Sequence, residues 1–430
     1  MKIIFENMHP KIKQYSIYAL YILVLAFIIK QALGSGDFKV FLEAAKLVAS
    51  GKTPYNQWIF VSEGVTCLYF YSPLWACILI PFSYLPNFIP NFIWLLANTY
   101  FLYRIWLLLS YYLNLQKLTT SELRWLLFLS TVMSLRFVLY NFGLIQMTIF
   151  LLWGSLESIH LFRKNRFILG GILLALIINI KILPLVLIPY LIYRKEFKGS
   201  MSTLFFSVLF LFLPAIFLGW STNFNLHKEW WSVINPSNGE HLIESGLGVH
   251  SLTALIPSLL TKTTGDLPYT RNIFNLDLQT TYYILNSVRI GFVLLTLYVL
   301  QWPAFKSSNT KTNELHELSY IFLLIPLIFP HQQKYDFFFI YPALFYILYF
   351  VVLNFKPQNR KMSNVNYFTL ITLLALSFIL MTVSTDGIIG RPLNLITQHY
   401  KTVTYGALIL VMAVLIYTPS KLGENGKHLL

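Results

Sequence analysis

Charge is what this chain has least of. Asp, Glu, Lys and Arg together make up 11% of its 430 residues, where a soluble globular domain carries about 25%. A deficit of that size excludes an ordinary water-soluble fold. Acid is scarcer than base, with 17 Asp and Glu against 32 Lys and Arg, so each carboxylate in a polar stretch is a candidate for chemistry. Cysteine is nearly absent. Cys67 lies in a polar stretch and Cys77 in an apolar one, too few and too differently placed for a disulfide framework or a zinc site, and redox chemistry is not indicated. No small-residue cleavage site follows the first apolar run, 15 to 33, which is therefore expected to stay as a helix. Repeats of solenoid period, low-complexity segments and paired interrupted helices in related halves are also missing, and the last absence weighs against a transporter.

What fills the sequence is apolar. Hydrophobic residues account for 56% and aromatics for 17%. Runs of spanning or near-spanning length fall at 15 to 33, 88 to 113, 124 to 140, 147 to 162, 167 to 180, 182 to 193, 201 to 219, 281 to 303, 316 to 330, 336 to 354, 366 to 385 and 401 to 418. They predict an all-α integral membrane protein, a polytopic bundle of about twelve transmembrane helices. The stretch 72 to 86, interrupted by Pro81 and Pro86, is short for a span and reads as a juxtamembrane or re-entrant helix. The pair 167 to 180 and 182 to 193 reads as a hairpin tipped by Lys181 and broken at Pro184.

A net charge of +15 would point a soluble chain toward nucleic acid. Here it follows the positive-inside rule, and no nucleic-acid partner is expected. Lys2, Lys11 and Lys13 precede the first run. Alternating from there, the inner loops receive Lys117 and Arg124, the cluster Arg163-Lys164-Asn165-Arg166, Arg194, Lys195 and Lys198, then Lys306 and Lys311, Lys356, Arg360 and Lys361, and finally Lys421 and Lys427. Both termini are thus expected in the cytoplasm, the membrane being a bacterial inner (plasma) membrane. Chemistry is to be sought in the outer segments 34 to 71, 220 to 280 and 330 to 336.

Asp37 stands just beyond the first run, in GSGDFKVF, where the chain leaves the bilayer. Phe38, Phe41, Leu42, Ala45 and Val48 after it suit an amphipathic helix at the interface, and Asp37 also reads as its cap, with Gly51 at the other end. Thr53-Pro54-Tyr55 and Phe70-Tyr71-Ser72-Pro73-Leu74 are aromatic and proline punctuation of the kind found in membrane-surface belts. Arg136, Lys181, Arg289 and Lys334 are cations inside or beside apolar runs, where an ionisable group is a functional candidate by default although ends can snorkel. Arg104 reads as paired or snorkelling, and Arg391 has no assigned role. His331, in PHQQKYD, could orient a carboxylate, share a proton or bind a phosphate, but taken alone a loop histidine reads as solvated, and Asp336 after it reads as a helix cap. His227, His241 and His250 share the large outer loop with Glu229, Glu240 and Glu244, but no spacing matches a helical ligand pair, so no metal is assigned.

The order of short motifs carries more than any one of them. After the first helix and Asp37 come A-A-x-x-x-x-x-G-K-x-P-Y (Ala44 to Tyr55), Y-x-P-L (Tyr71 to Leu74), G-x-x-Q (Gly143 to Gln146), G-G-I-L-L-A-L (Gly170 to Leu176) and K-x-x-P (Lys181 to Pro184), with PHQQKYDFFFIYP at Pro330 to Pro342. In this order the sequence resembles the integral-membrane glycosyltransferases of family 87, relatives of the phosphatidylinositol-mannoside mannosyltransferases with the GT-C fold. Residues 1–200 resemble the catalytic module, with first outer loop 34–71. Residues 201–430 add further helices, outer loop 220–280 and polar turn 330–336, all within one membrane domain.

The resemblance implies inverting transfer of a hexose, mannose foremost, from a polyprenyl-phosphate sugar to a lipid or glycan acceptor at the outer face. Asp37 would be the base, with His331 the second catalytic residue. Tyr71, Arg136, Gln146, Lys181, Arg289 and Lys334 would bind substrate, and no cofactor is called for beyond the lipid-phosphate donor. Leu144 and Ile145 stand where the family commonly has glycine, and Met147-Thr148 where asparagine often follows the glutamine. Two other readings compete: a transporter or flippase of lipid-linked sugars, and a polymerase or ligase of surface glycans.

Overall fold

The computed structural model describes residues 10–62, 64–235, 243–244, 246–263, 265–301, 304–305, 310–360 and 362–419. Lys2, Glu240, His241, Lys306, Lys361, Lys421 and Lys427 lie outside the described residues, as do the side chains of Lys11 and Lys13.

The chain is helical with one small hairpin. In order it forms α1 (Pro10–Ala32), α2 (Phe38–Ala49), β1 (Ile59–Ser62) paired antiparallel with β2 (Val65–Cys67), α3 (Pro73–Ser83), α4 (Phe88–Tyr112), α5 (Thr120–Gly143), α6 (Thr148–Arg163), α7 (Phe167–Ile180), α8 (Leu187–Tyr193), α9 (Phe197–Phe212), α10 (Ala215–Leu218), α11 (Trp220–Ile234), α12 (Leu252–Leu260), α13 (Leu278–Leu300), α14 (Lys311–Ile328), α15 (Tyr341–Leu353), α16 (Asn364–Phe378), α17 (Asp386–Ile389), α18 (Arg391–His399) and α19 (Thr402–Ile416). A 3-10 helix, Lys334–Ile340, leads into α15. Each expected apolar run overlaps at least one of these elements: 201–219 takes in both α9 and α10, and 182–193 and 336–354 begin in 3-10 segments.

Among the described residues seven helices are long and apolar enough to cross a membrane: Gln14–Ala32, Phe88–Tyr112, Thr120–Gly143, Phe197–Leu218, Leu278–Leu300, Lys334–Leu353 and Asn364–Val383. An eighth results if α18 and α19, bent by 62°, make one broken span. The expected number was about twelve, and the difference has a physical source. At 1.5 Å per residue α6 and α7, of 16 and 14 residues, rise only about 24 and 21 Å against a hydrocarbon core of about 30 Å. α14 carries Lys311, Glu314 and Glu317 in its first two turns. The expected break at Lys181 is present: α7 ends there in an extended residue, and a short 3-10 turn through Pro184 leads into α8.

The chain divides into two compact units, residues 1–108 with 139–238, and residues 109–138 with 239–430. In the first, α1 has only 11% of its apolar window buried by protein, as expected of a helix solvated by lipid. The G-G of the GGILLAL run has a packing role. A Cβ on Gly171 would lie 2.1 Å from Ser202 Oγ of α9, and one on Gly170 would lie 2.6 Å from the Phe162 ring of α6, so both neighbours approach α7 only because those side chains are missing. In the second unit the segment Lys334–Leu353 is 94% buried, an apolar element enclosed by protein on all sides.

Candidate active site

In the first unit α1 stops at Ala32, and Asn91 of α4 holds the exit by donating to the carbonyl of Ala32 at 3.2 Å. Gly36 then passes so close to the turn after α5 that a Cβ would sit 2.7 Å from the Leu144 carbonyl oxygen. That contact sets the next residue. The Asp37 backbone N–H donates to the same carbonyl at 2.9 Å, and the Asp37 carbonyl accepts from Val40 N–H at 2.9 Å as α2 begins.

Asp37 therefore occupies the cap position of α2, yet its carboxylate makes no capping hydrogen bond, and the expectation of a side-chain cap is corrected on this point. The side chain turns the other way. Its Oδ2 accepts from Gln146 Nε2 at 2.5 Å. A neutral amide orients the carboxylate without cancelling its charge, as an arginine would. Gly51, with φ +74°, closes α2 as expected.

Gln146 is itself fixed. Its backbone N–H donates to Asn141 O at 2.8 Å, and its carbonyl accepts from Trp94 Nε1 at 3.1 Å and Asn98 Nδ2 at 3.4 Å. Ile145, immediately before it, is buried with φ +53°, a left-handed conformation that β-branched residues avoid. Here the strain is overcome by burial and by the bonds that pin Gln146. Gly36→Ala is expected to force the Asp37 backbone off the Leu144 carbonyl, at about 1–3 kcal/mol of stability and a loss of activity near 10²-fold from displacement of the carboxylate by about 1 Å. Thermal unfolding and initial rates measured together check this, and an unchanged rate would show that the close approach does not position the acid.

Tyr71 and Lys181 are brought together in the same unit. Ser72 N–H reaches Ile180 O at 3.4 Å, which lays the Y-x-P-L element on the end of α7. Lys181 Nζ then lies 5.8 Å from the Tyr71 ring centroid, and that ring packs edge-on to Phe41 at 4.5 Å. Behind it Tyr55 OH donates to Tyr71 O at 2.9 Å. Cys67 stands near enough to Asp37 for its charge, after burial itself, to raise the thiol above its usual range. Arg104 is paired as expected, in a double contact with Glu157 at 2.8 Å.

In the second unit Arg136 is buried and donates to Met381 O at 2.6 Å and Ser384 Oγ at 2.8 Å, so it binds the turn after α16 as well as being a candidate for substrate. Arg289 donates to Thr253 Oγ1 of α12 at 2.6 Å. Lys334 is buried and feels the charges of Arg136 and Asp386. Asp336 caps from the third position of the 3-10 helix: its carboxylate accepts from Gln333 N–H at 3.0 Å in a reciprocal box with the Gln333 side chain. His331 has φ +56° and contacts the Glu244 carboxylate through Nδ1.

Three residues of this unit carry signals that spacing did not expose. Glu244 pairs across 87 positions. Lys401, fully buried, donates to Gly246 O at 2.5 Å and Val249 O at 2.9 Å. His250 is fully buried, and its burial, with the charges of Lys401, Lys334 and Arg136, holds it neutral well below the usual imidazole range.

Several apolar helices of spanning length define an integral membrane protein. The chain belongs to glycosyltransferase family 87, whose family model matches residues 69–330, more than half of its length. It is therefore a membrane glycosyltransferase. The match takes in Tyr71, Arg136, Gln146, Lys181 and Arg289, while Asp37 precedes it and His331 and Lys334 follow. No curated protein and no solved structure matches the chain.

Proposed function

We propose that the chain transfers a hexose, mannose foremost, from a polyprenyl-phosphate sugar to a hydroxyl of a lipid or glycan acceptor, with inversion, at the outer face of a bacterial inner membrane whose cytoplasmic side holds both termini. The observation that carries this reading is the bond from Gln146 to Asp37 in a chain of this family. The acceptor O–H gives its proton to the Asp37 carboxylate as its oxygen attacks the anomeric carbon. The bond from that carbon to the lipid phosphate breaks, and its electron pair leaves on the phosphate. Lys181, in the same unit as Asp37, is suited to stabilise that growing charge, and Tyr71 offers an aromatic face to substrate beside it; His331 is taken as the second catalytic group, and Arg289 and Lys334 as substrate ligands, on the order of motifs alone.

The test is to incubate the purified protein in lipid nanodiscs with polyprenyl-phosphate mannose, glucose or arabinose and a lipid extract. A new glycolipid, heavier than its acceptor by one hexose, is expected from the mannose donor. Movement of the lipid-linked sugar across vesicles with no glycosidic product would replace this reading with the flippase. Lengthening of a glycan chain would replace it with the polymerase.

A further inference from the structure

Among the described residues of the second unit His331 is one of four non-glycine residues in the left-handed region, with Gln301, Phe305 and Lys401, where L-residues lie about 1–2 kcal/mol above the right-handed form. Such a conformation persists only where the surroundings impose it. One carboxylate holds this residue twice. Glu244 Oε1 accepts the His331 backbone N–H at 2.7 Å and also meets Nδ1 of the same residue's ring. Its other oxygen, Oε2, accepts from Ser251 Oγ at 3.2 Å. The carboxylate is 5% exposed and the ring above it 33%, so the acid is shut in and the imidazole is within reach of a substrate.

A buried carboxylate is costly unless it is well bonded, and the chain has arranged for this one. Arg289 from α13 and Lys401 from the break between α18 and α19 both act on it electrostatically, and Lys334 lies three residues beyond the histidine. The segment carrying Glu244 is clamped from two sides. Lys401 ties down the carbonyls of Gly246 and Val249. Val249 bridges Gln333, and His250 N–H donates to Gln332 O at 2.8 Å. Two strands of loop are thus laid side by side, and Glu244 meets His331.

We propose that Glu244 is the positioning residue for His331, gripping its backbone N–H and its Nδ1 so that the imidazole acts on substrate through Nε2. This rests on the role given to His331 above. In the neutral ring Nδ1 carries the hydrogen and donates it to the carboxylate, while Nε2 keeps its lone pair. Once Nε2 takes a proton from water, the imidazolium is held beside an anion and Nε2–H donates to an anionic phosphate oxygen. A carboxylate behind a histidine fixes tautomer and ring orientation in this way in other sites.

The experiment reads the tautomer directly. Full-length protein with ¹⁵N-labelled histidine is prepared in nanodiscs, and His331 is identified among the 9 histidines by its disappearance in His331→Asn. The wild type should show protonated Nδ1 and unprotonated Nε2 in the neutral ring, and Glu244→Ala should lose that signature. An Nε2–H tautomer in the wild type would overturn the proposal without reference to any variant or substrate. With polyprenyl-phosphate mannose as donor, Glu244→Ala should lower kcat about tenfold or more and cost nothing further in the His331→Asn background. Equal losses in both backgrounds would mean that Glu244 acts on the fold and not on the histidine. Full activity of His331→Asn would instead sink the role of the histidine itself, which the tautomer measurement leaves untouched.

Discussion

Asp37→Asn should lower sugar transfer by about 10²- to 10⁴-fold, the contribution of a positioned general base, while insertion and abundance stay as they are. The amide is isosteric, so its Oδ1 can still accept from Gln146 Nε2 as the carboxylate does at 2.5 Å. The backbone bonds to Leu144 O and from Val40 N–H do not involve the side chain. Because the acid makes no cap bond to α2, the substitution removes nothing the helix uses. What it removes is the capacity to take a proton. Turnover within a few-fold of wild type, measured on protein of equal abundance, would end the assignment of the base.

The second large effect belongs to His331. Loss of the ring should cost about 10²-fold or more in rate if the imidazole stabilises the leaving phosphate or moves a proton. Alanine at this position confounds that loss with the backbone, since φ is +56° and alanine has no side chain to support a left-handed residue. Asparagine tolerates that region. The expected pattern is a matched fall in rate for His331→Ala and His331→Asn, with a lowered melting temperature for Ala alone. A rate that recovers in the Asn variant would show that the site needs the turn and not the ring.

The helices were legible because lipid demands long apolar runs, and each run drawn from sequence overlaps at least one helix. Their status as spans was less so, since length, charge and burial decide it together. Lys334–Leu353 is nearly enclosed by protein while Gln14–Ala32 is almost bare, and both look alike as strings of letters. Of the site, Asp37 was visible because it is a lone acid at the end of a run.

The orientation of Asp37 was not visible. The partner that turns it away from α2 sits 109 positions on, and no local spacing encodes such a pair. Glu244 was one of three glutamates in the outer loop with nothing to distinguish it until the structure set it against His331. Arg136 looked like a substrate cation from its depth alone, and its bonds to residues 245 and 248 positions away belong to tertiary structure. Ile145 is the converse case, an ordinary apolar letter in the sequence whose left-handed φ of +53° only the structure reveals.

The ion pair between Arg104 and Glu157 bears on how the chain is made. A lone guanidinium in the middle of an apolar helix resists entry into lipid by about 2.5–3.5 kcal/mol on insertion scales. Its neutralising acid is on α6, 53 residues downstream. As translation proceeds from the amino end, α4 is therefore a poor candidate to leave the insertion machinery by itself and a better one in company. The cost of burying Arg104 in the bilayer is thus offset by an acid on a helix that is translated later.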